Sequence, residues 1–246
     1  MAFQNVVKFL KIMFRDILKR DVMIHCIGDS HCYFFYGSDE YDEGLVGSFD
    51  SLLPYFKIHH IGSSLAYNLC SEGTTTGGRE KILGLLDNHI PAGSRVMLCF
   101  GEIDCRYHIP KQAGLQNKDV KIIIEECVNR YVGFIKEIKA KGFDVLVWGV
   151  IPSPIDSAKA DPFFPRWGTC QERNSVTRCF NEKLESMLNG ESIKFVSLFD
   201  QLVGVGNLTK GQHYLADKIH LAQTMMPAAI KELRGNLKIL DKEYLK

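Results

Sequence analysis

Short apolar runs alternate along the chain with longer segments in which apolar residues recur every three or four positions. Most of the short runs have no polar face, which is typical of strands buried between two layers of helices. The predicted strands are Val22–Ile27, Phe56–Ile61, Arg95–Phe100, Asp144–Val150 and Ile193–Leu198. The predicted helices are Ser64–Cys70, Gly78–His89, Asp119–Lys141, Arg173–Leu188 and Leu221–Leu233. This alternation predicts a three-layer α/β/α fold around a parallel sheet, with right-handed crossovers.

The 246 residues are expected to form one domain, spanning residues 21–234, with a tail at 235–246. Apolar residues at helical spacing predict an amphipathic helix over residues 1–20. Basic residues interrupt its apolar runs, so it does not resemble a signal peptide. We expect this helix to pack on the domain or on a second subunit. The alternative is weak attachment to a membrane surface through its cationic face.

Charge and cysteine content exclude several classes of protein. The 30 basic and 29 acidic residues leave a net charge of +1, which gives no support for a nucleic-acid partner. No apolar run is long enough for a predicted transmembrane helix. The eight cysteines form no C-x-x-C pair; Cys26 and Cys99 fall within predicted strands, and Cys70 and Cys127 within helical patterns, so we expect reduced core thiols and a cytoplasmic location.

In a parallel α/β sheet, ligands bind beyond the carboxyl ends of the strands. The first predicted strand runs into Gly28-Asp29-Ser30-His31. A glycine permits a sharp turn, and a serine at the start of the next helix would lie beside free backbone amides. Ser30 is therefore a candidate nucleophile beside its own oxyanion donors. The alternative is ordinary helix-cap chemistry.

A second candidate motif, Asp217-Lys218-Ile219-His220, precedes the last predicted helix. A carboxylate three residues before a histidine can accept the Nδ1 proton, which leaves Nε2 free to take a proton from a hydroxyl. The alternative is a helix-capping aspartate beside an incidental histidine.

Together these motifs resemble the SGNH (GDSL-like) hydrolase family across about Val22 to Leu233. The family's second block is similar to the segment around Gly62, and its third block, G-x-N-D, aligns with Gly101-Glu102-Ile103-Asp104. The motifs G-D-S-H and G-E-I-D-C-R resemble a variant of this family that is associated with bacterial glycan-modifying proteins. The resemblance implies a flavodoxin-like five-stranded sheet in the order 2-1-3-4-5, without a metal or organic cofactor.

The resemblance assigns roles to individual residues. Ser30 would be the nucleophile, His220 the base, and Asp217 the residue that orients it. The backbone amides of Ser30 and Gly62 would form the oxyanion hole. Further candidates for contact with the substrate or oxyanion are Asp29, His31, Asp104 and Arg106.

One departure from the family pattern concerns the oxyanion hole. The third-block asparagine is Ile103 here, which cannot donate a hydrogen bond. Arg106 could replace that donor, or it could pair with Glu102 or Asp104 and only brace the loop.

Two functions are compatible with these residues. The first is a serine esterase or acyltransferase acting on an O-acyl group, with an acetyl group of a bacterial glycan as the expected substrate. The aromatic residues Phe163, Phe164 and Trp167, in a long loop at Ile151–Gln171, could form a substrate wall or pack in the core. The second function is a non-catalytic glycan-binding or scaffold domain, which Ile103 favours and the complete Ser30, Asp217 and His220 set opposes.

Overall fold

A computed structural model describes residues 23–40, 44–156, 164–215 and 219–236. The predicted helix at 1–20 lies outside the described residues, as do Phe163, Asp217 and positions 237–246.

Six strands of the described chain form one sheet in the order β2-β3-β1-β4-β5-β6. Their bounds are β1 Ile24–Gly28, β2 Gly47–Asp50, β3 Phe56–His60, β4 Arg95–Cys99, β5 Asp144–Trp148 and β6 Lys194–Val196. All neighbours pair in parallel except β2, which pairs antiparallel with β3. The five predicted strands and their 2-1-3-4-5 order are therefore confirmed. The predicted strand count was one short, because β2 has only one large apolar side chain, Phe49.

The helices of the described chain are α1 Gly78–Asn88, α2 Ile109–Gln116, α3 Val120–Ala140, α4 Cys170–Asn189, α5 Phe199–Leu202 and α6 Met226–Asn236. The predicted helix at Ser64–Cys70 is only a 3-10 turn at Ala66–Asn68, because Asp104 accepts the backbone N–H groups of Ala66 and Tyr67 in place of helix carbonyls. Apolar periodicity did not predict α2, whose sequence contains a proline and a glycine. None of the described helices has the length and apolarity needed to cross a bilayer.

Side chains of the sheet alternate between two buried clusters, one on each face. On one face, Ile27 and Leu98 pack with α1, α3 and α4. On the other, Met97 and Trp148 pack with residues 32–35 and with α6. The second cluster thus holds the segment after β1 and the C-terminal helix in one layer. All eight cysteines are free thiols, and six of them are buried.

Two buried histidines are bonded to each other across β1 and β3. His25 Nδ1 lies 2.9 Å from His59 Nε2, and Ser48 Oγ lies 2.7 Å from His59 Nδ1. Burial, followed by the charge of Lys57, lowers the pKa of His25 to about 4. Burial, followed by the charge of His25, lowers the pKa of His59 to about 3. The pair is therefore neutral near pH 7 and belongs to the core.

This pair predicts an acid-sensitive step in stability. A histidine whose folded-state pKa is depressed binds its proton more readily when unfolded, so stability is lost as pH falls from about 6.5 towards 4 and 3. We expect a loss of a few kcal/mol, since one pKa unit corresponds to about 1.4 kcal/mol. Urea unfolding at pH 7, 6, 5 and 4 measures it.

The His59→Gln variant is the control, because a glutamine amide reaches the same region without titrating in this range. Its unfolding free energy should depend less on pH than that of the wild type. Burial raises the pKa of Asp104 to about 6, which acts in the opposite direction between about pH 4 and 6. Because both proteins contain Asp104, their difference isolates the histidine pair. If the unfolding free energies of the two proteins changed equally with pH, the prediction would be wrong.

Candidate active site

The serine at the end of β1 is placed by a close backbone approach. A Cβ atom on Gly28 would lie 2.6 Å from the Cys99 carbonyl oxygen, so only glycine fits there. Asp29 follows and caps a 3-10 helix, Ser30–Tyr36, by accepting the His31 N–H at 3.0 Å. Ser30 is the first residue of that helix, where backbone N–H groups have no acceptor within the helix.

His220 meets this serine from the other end of the chain. Its Nε2 atom lies 2.8 Å from Ser30 Oγ, although the two residues are 190 positions apart. The backbone around His220 is fixed by hydrogen bonds from Leu215 N to the His220 carbonyl and from Ala222 N to the His213 carbonyl, both 2.8 Å. The structure thus brings the two sequence motifs together at one point. Asp217 itself lies outside the described residues.

The candidate oxyanion loop follows β3. Gly28 pairs with His60 in the parallel register, and Ile61 N donates to the Gly28 carbonyl at 3.0 Å. Gly62 therefore follows its strand at nearly the same level as Ser30 follows β1. Gly62 has a φ of +85°, a left-handed conformation that favours glycine. The register thus places the amides of Ser30 and Gly62 on adjacent loops at the same edge of the sheet.

A cluster of ionisable side chains begins at His31, the residue after Ser30, and includes the buried Glu102 and Arg106. Arg106 Nε donates to Glu102 Oε1 at 2.7 Å, and His31 Nε2 lies 3.2 Å from Glu102 Oε2. Arg106 Nη1 also donates to the Pro165 carbonyl. Burial opposes ionisation of Glu102, but Arg106 and His31 outweigh it and hold the pKa of Glu102 at about 2. Glu102 is therefore an anion with two partners.

This arrangement distinguishes the two roles considered for Arg106. The guanidinium pairs with Glu102 and binds the Pro165 carbonyl, and the side chain is only 3% exposed. These are the contacts that the bracing role requires. Ile103, the next residue after Glu102, is half-buried and offers no donor.

Asp104 ties the third loop to the second. Its carboxylate accepts the N–H groups of Ala66 at 2.8 Å and Tyr67 at 3.2 Å, and the Cys127 thiol donates to it at 3.5 Å. Its partners are thus backbone amides and a thiol of neighbouring segments. Asp104 therefore links the loop after β4 to the loop that follows Gly62.

A small cavity of about 20 Å³, roughly the space of one water molecule, lies beside His220. Asp29, His31 and Glu102 supply its polar lining. The Oδ2 atom of Asp29 is buried and has no hydrogen-bond partner among the described residues. Burial raises the pKa of Asp29, while the nearby His31 opposes that rise. A water molecule bonded to Asp29 Oδ2 would fit this volume and satisfy the carboxylate.

The long loop after β5 is held by a residue that the sequence did not single out. Arg173 is fully buried, and its Nε donates to Ser153 Oγ at 2.7 Å. Its Nη2 donates to the Pro154 carbonyl at 2.6 Å. The same loop places the Phe164 ring 6.1 Å from the His220 ring. Glu102 was likewise missed as a site residue, because nothing in its local sequence identifies its partners.

The buried pairing predicts that Arg106→Ala destabilises the fold. The change would leave Glu102 buried without its main counter-charge, which costs about 3–5 kcal/mol. Urea unfolding at pH 7 measures the loss. The control is Arg178→Ala, whose exposed pair with Asp200 should contribute less than about 1 kcal/mol. If Arg106→Ala were as stable as Arg178→Ala, the bracing role would be wrong.

No family model and no curated protein matches this chain. Solved structures do match it. A GDSL-like lipase from Bacteroides thetaiotaomicron is 16% identical, with a TM-score of 0.52 over 87% of this chain and 88% of its own. A Bacteroides fragilis structure described as an acylhydrolase is also 16% identical, with a TM-score of 0.52 over 89% and 88%. The C-terminal domain of Drosophila Oskar is 10% identical, with a TM-score of 0.51 over 87% of both chains.

Identities this low establish a shared fold and leave function to the site. The sheet order, the loops at its carboxyl edge and these structural matches agree with one another. The chain has the fold of the SGNH (GDSL-like) hydrolases.

Proposed function

We propose that the protein is a serine hydrolase that cleaves an acyl ester, with Ser30 as the nucleophile and His220 as the general base. The observation that carries this proposal is the 2.8 Å distance between Ser30 Oγ and His220 Nε2. A serine hydroxyl is a weak nucleophile until a base within hydrogen-bond reach removes its proton. The contact supplies that base directly.

The reaction follows from this geometry. Ser30 Oγ attacks the ester carbonyl as His220 Nε2 takes the hydroxyl proton. The Ser30 and Gly62 amides hold the negative charge on the carbonyl oxygen. His220 then gives its proton to the departing alcohol, which leaves an acyl group on Ser30. Water, or a second alcohol in a transferase, attacks that acyl group and restores Ser30 with His220 again as base.

The role proposed for Asp217 is to accept the Nδ1 proton of His220 and hold the ring in the productive tautomer. The support for it is the motif spacing, three residues before the histidine.

The proposed substrate is an O-acyl group, specifically an O-acetyl group, on a saccharide. Its support is the resemblance of the G-D-S-H and G-E-I-D-C-R motifs, together with the aromatic ring of Phe164 near His220. Trp167, 43% exposed on the same loop, offers a second ring. Aromatic faces are suited to stacking on sugar rings. The free thiols support a reducing location such as the cytoplasm.

The alternative is a binding or scaffold domain that retains the fold without catalysis. Ile103 favours it, because an oxyanion donor of the family pattern is missing. The match to an Oskar domain shows the same fold in a structure not described as an enzyme. Covalent chemistry at Ser30 separates the two functions.

A fluorophosphonate should label Ser30 of the wild-type protein. Peptide mass spectrometry locates the adduct, and Ser30→Ala should abolish it. The control Ser186→Ala removes an exposed hydroxyl on α4 and should label at the wild-type rate. Absence of labelling between pH 6 and 9 would favour the binding domain.

Removal of the base should cost most of the rate. On any ester that the protein accepts, His220→Ala should lower kcat by about 10⁴.

Asp217→Asn should also lower kcat, with little change in the unfolding midpoint, because the wrong tautomer would face Ser30. Unchanged turnover in either variant would remove that residue from the mechanism.

A donor at position 103 should raise activity. Ile103→Asn places an amide where the family pattern has one, and one oxyanion donor is worth about 10²–10³ in turnover. We expect part of that gain, measured as kcat against wild type. Ile103→Val, which adds no donor, is the control. A gain in both variants, or in neither, would contradict the prediction.

A further inference from the structure

We infer that Lys81 is a positioning residue of the oxyanion hole: its ammonium group orients and polarises the peptide that carries the Gly62 amide. This inference rests on the proposed function, in which that amide donates to the developing oxyanion. Lys81 lies on α1, outside the motifs that the sequence analysis singled out.

The contact that carries the inference joins a side chain to one particular carbonyl. Lys81 Nζ donates to the Ile61 carbonyl oxygen at 3.0 Å. It also lies 3.9 Å from the position that a Cβ atom on Gly62 would occupy. The Ile61 carbonyl and the Gly62 N–H belong to the same peptide unit. In a trans peptide these two groups point in opposite directions. Lys81 therefore binds the carbonyl end of the peptide unit whose N–H is the proposed oxyanion donor.

This position has two consequences for the amide. First, the hydrogen bond fixes the plane of the peptide, so the N–H is directed to the side away from α1. Second, a cation on a carbonyl draws electron density from the peptide and strengthens its N–H as a donor, because bonded hydrogen-bond chains polarise one another. The positive charge of Lys81, one peptide unit away, also stabilises the negative charge of an oxyanion bound by the Gly62 N–H. The fixed orientation is present before the reaction, and the electrostatic stabilisation is largest in the transition state, where the oxyanion forms.

The residues before Lys81 fix the start of α1. A Cβ atom on Gly78 would lie 2.7 Å from Ser64 Oγ, so glycine lets the start of the helix press against the loop after Gly62. Arg79 forms two hydrogen bonds with the Glu137 carboxylate, at 2.7 and 2.8 Å. Glu80 accepts the Gly73 N–H at 2.7 Å. Contacts of three consecutive residues thus fix the first turn of α1.

Among the described residues, Lys81 forms no ion pair that would cancel its charge. Across the described parts of the chain, no carboxylate lies within ion-pair distance of its Nζ, whereas Lys57, Lys136, Lys141 and Lys183 each have one. The ammonium is instead directed at a main-chain carbonyl beside the site. In a site where Ile103 supplies no donor, this arrangement strengthens one of the two remaining amides.

The test compares Lys81→Met, which keeps the apolar stem and removes the charge, with Lys81→Arg, which keeps both charge and donor. Lys183→Met is the control for loss of one surface charge, because Lys183 on α4 pairs with Glu125 on α3 and not with the Ile61 carbonyl. Two measurements are made on each protein. One is the ¹H–¹⁵N resonance of the Gly62 amide, and the other is the second-order rate of fluorophosphonate labelling at Ser30.

We expect the Gly62 resonance to move in Lys81→Met and to stay near its wild-type position in Lys81→Arg and Lys183→Met. The labelling rate of Lys81→Met should fall about five- to twentyfold, a fraction of the 10²–10³ that a whole donor is worth. With an ester substrate, kcat should fall by the same factor, whereas KM and the unfolding midpoint should stay unchanged. A mere structural tether would instead lower the midpoint and leave kcat of the folded protein unchanged.

The possible failures are distinguishable. If Lys81→Met labels as fast as the wild type, the inference is wrong while the proposed function stands. An equal loss of rate in Lys183→Met, or an unmoved Gly62 resonance, would also overturn it. If the wild-type protein forms no adduct at Ser30, the proposed function fails and the inference fails with it.

Discussion

The close parallel pairing of β1 with both β3 and β4 is the constraint on which the site depends. In this register Gly28 lies beside His60 on one side and Cys99 on the other. The three strands therefore end at one level, and the loops that follow them emerge together. The fit is tight enough that Gly28 has no room for a Cβ atom against the Cys99 carbonyl. Any displacement of this contact would move Ser30 relative to both neighbouring loops.

The loops themselves are held by buried polar groups rather than by apolar packing alone. Asp104 binds backbone amides of the second loop, and Glu102 binds Arg106 and contacts His31. Buried charges are costly unless each has a partner, so such groups specify one arrangement and penalise others. The loops on both sides of Ser30 are therefore held by polar contacts. In the proposed mechanism, a hydroxyl and an imidazole placed among such contacts would need little reorganisation as charge develops.

The second packing layer explains how the two ends of the chain meet. The residues after Ser30 and those of α6 share one apolar cluster on one face of the sheet. Burial of that cluster brings His220, which precedes α6, to Ser30. Arg173 performs a comparable task for the loop after β5, because its buried guanidinium binds two carbonyls of that loop, those of Pro154 and Gly168.

The sequence predicted the five parallel strands and the two short motifs that meet at the site, and the family resemblance of those motifs implied the strand order. Strands buried on both faces leave an unmistakable apolar run, and glycine, serine and histidine at fixed positions are local signals. Only the tertiary structure decided the rest: the edge strand β2, the pairing of Arg106 with Glu102, and the contact between Lys81 and the Ile61 carbonyl. From the sequence, Arg106 could equally brace its loop or bind an oxyanion. The distance to Glu102 and the burial of both side chains favour bracing. Such partners come from different elements, and their choice depends on packing distances that no local pattern encodes.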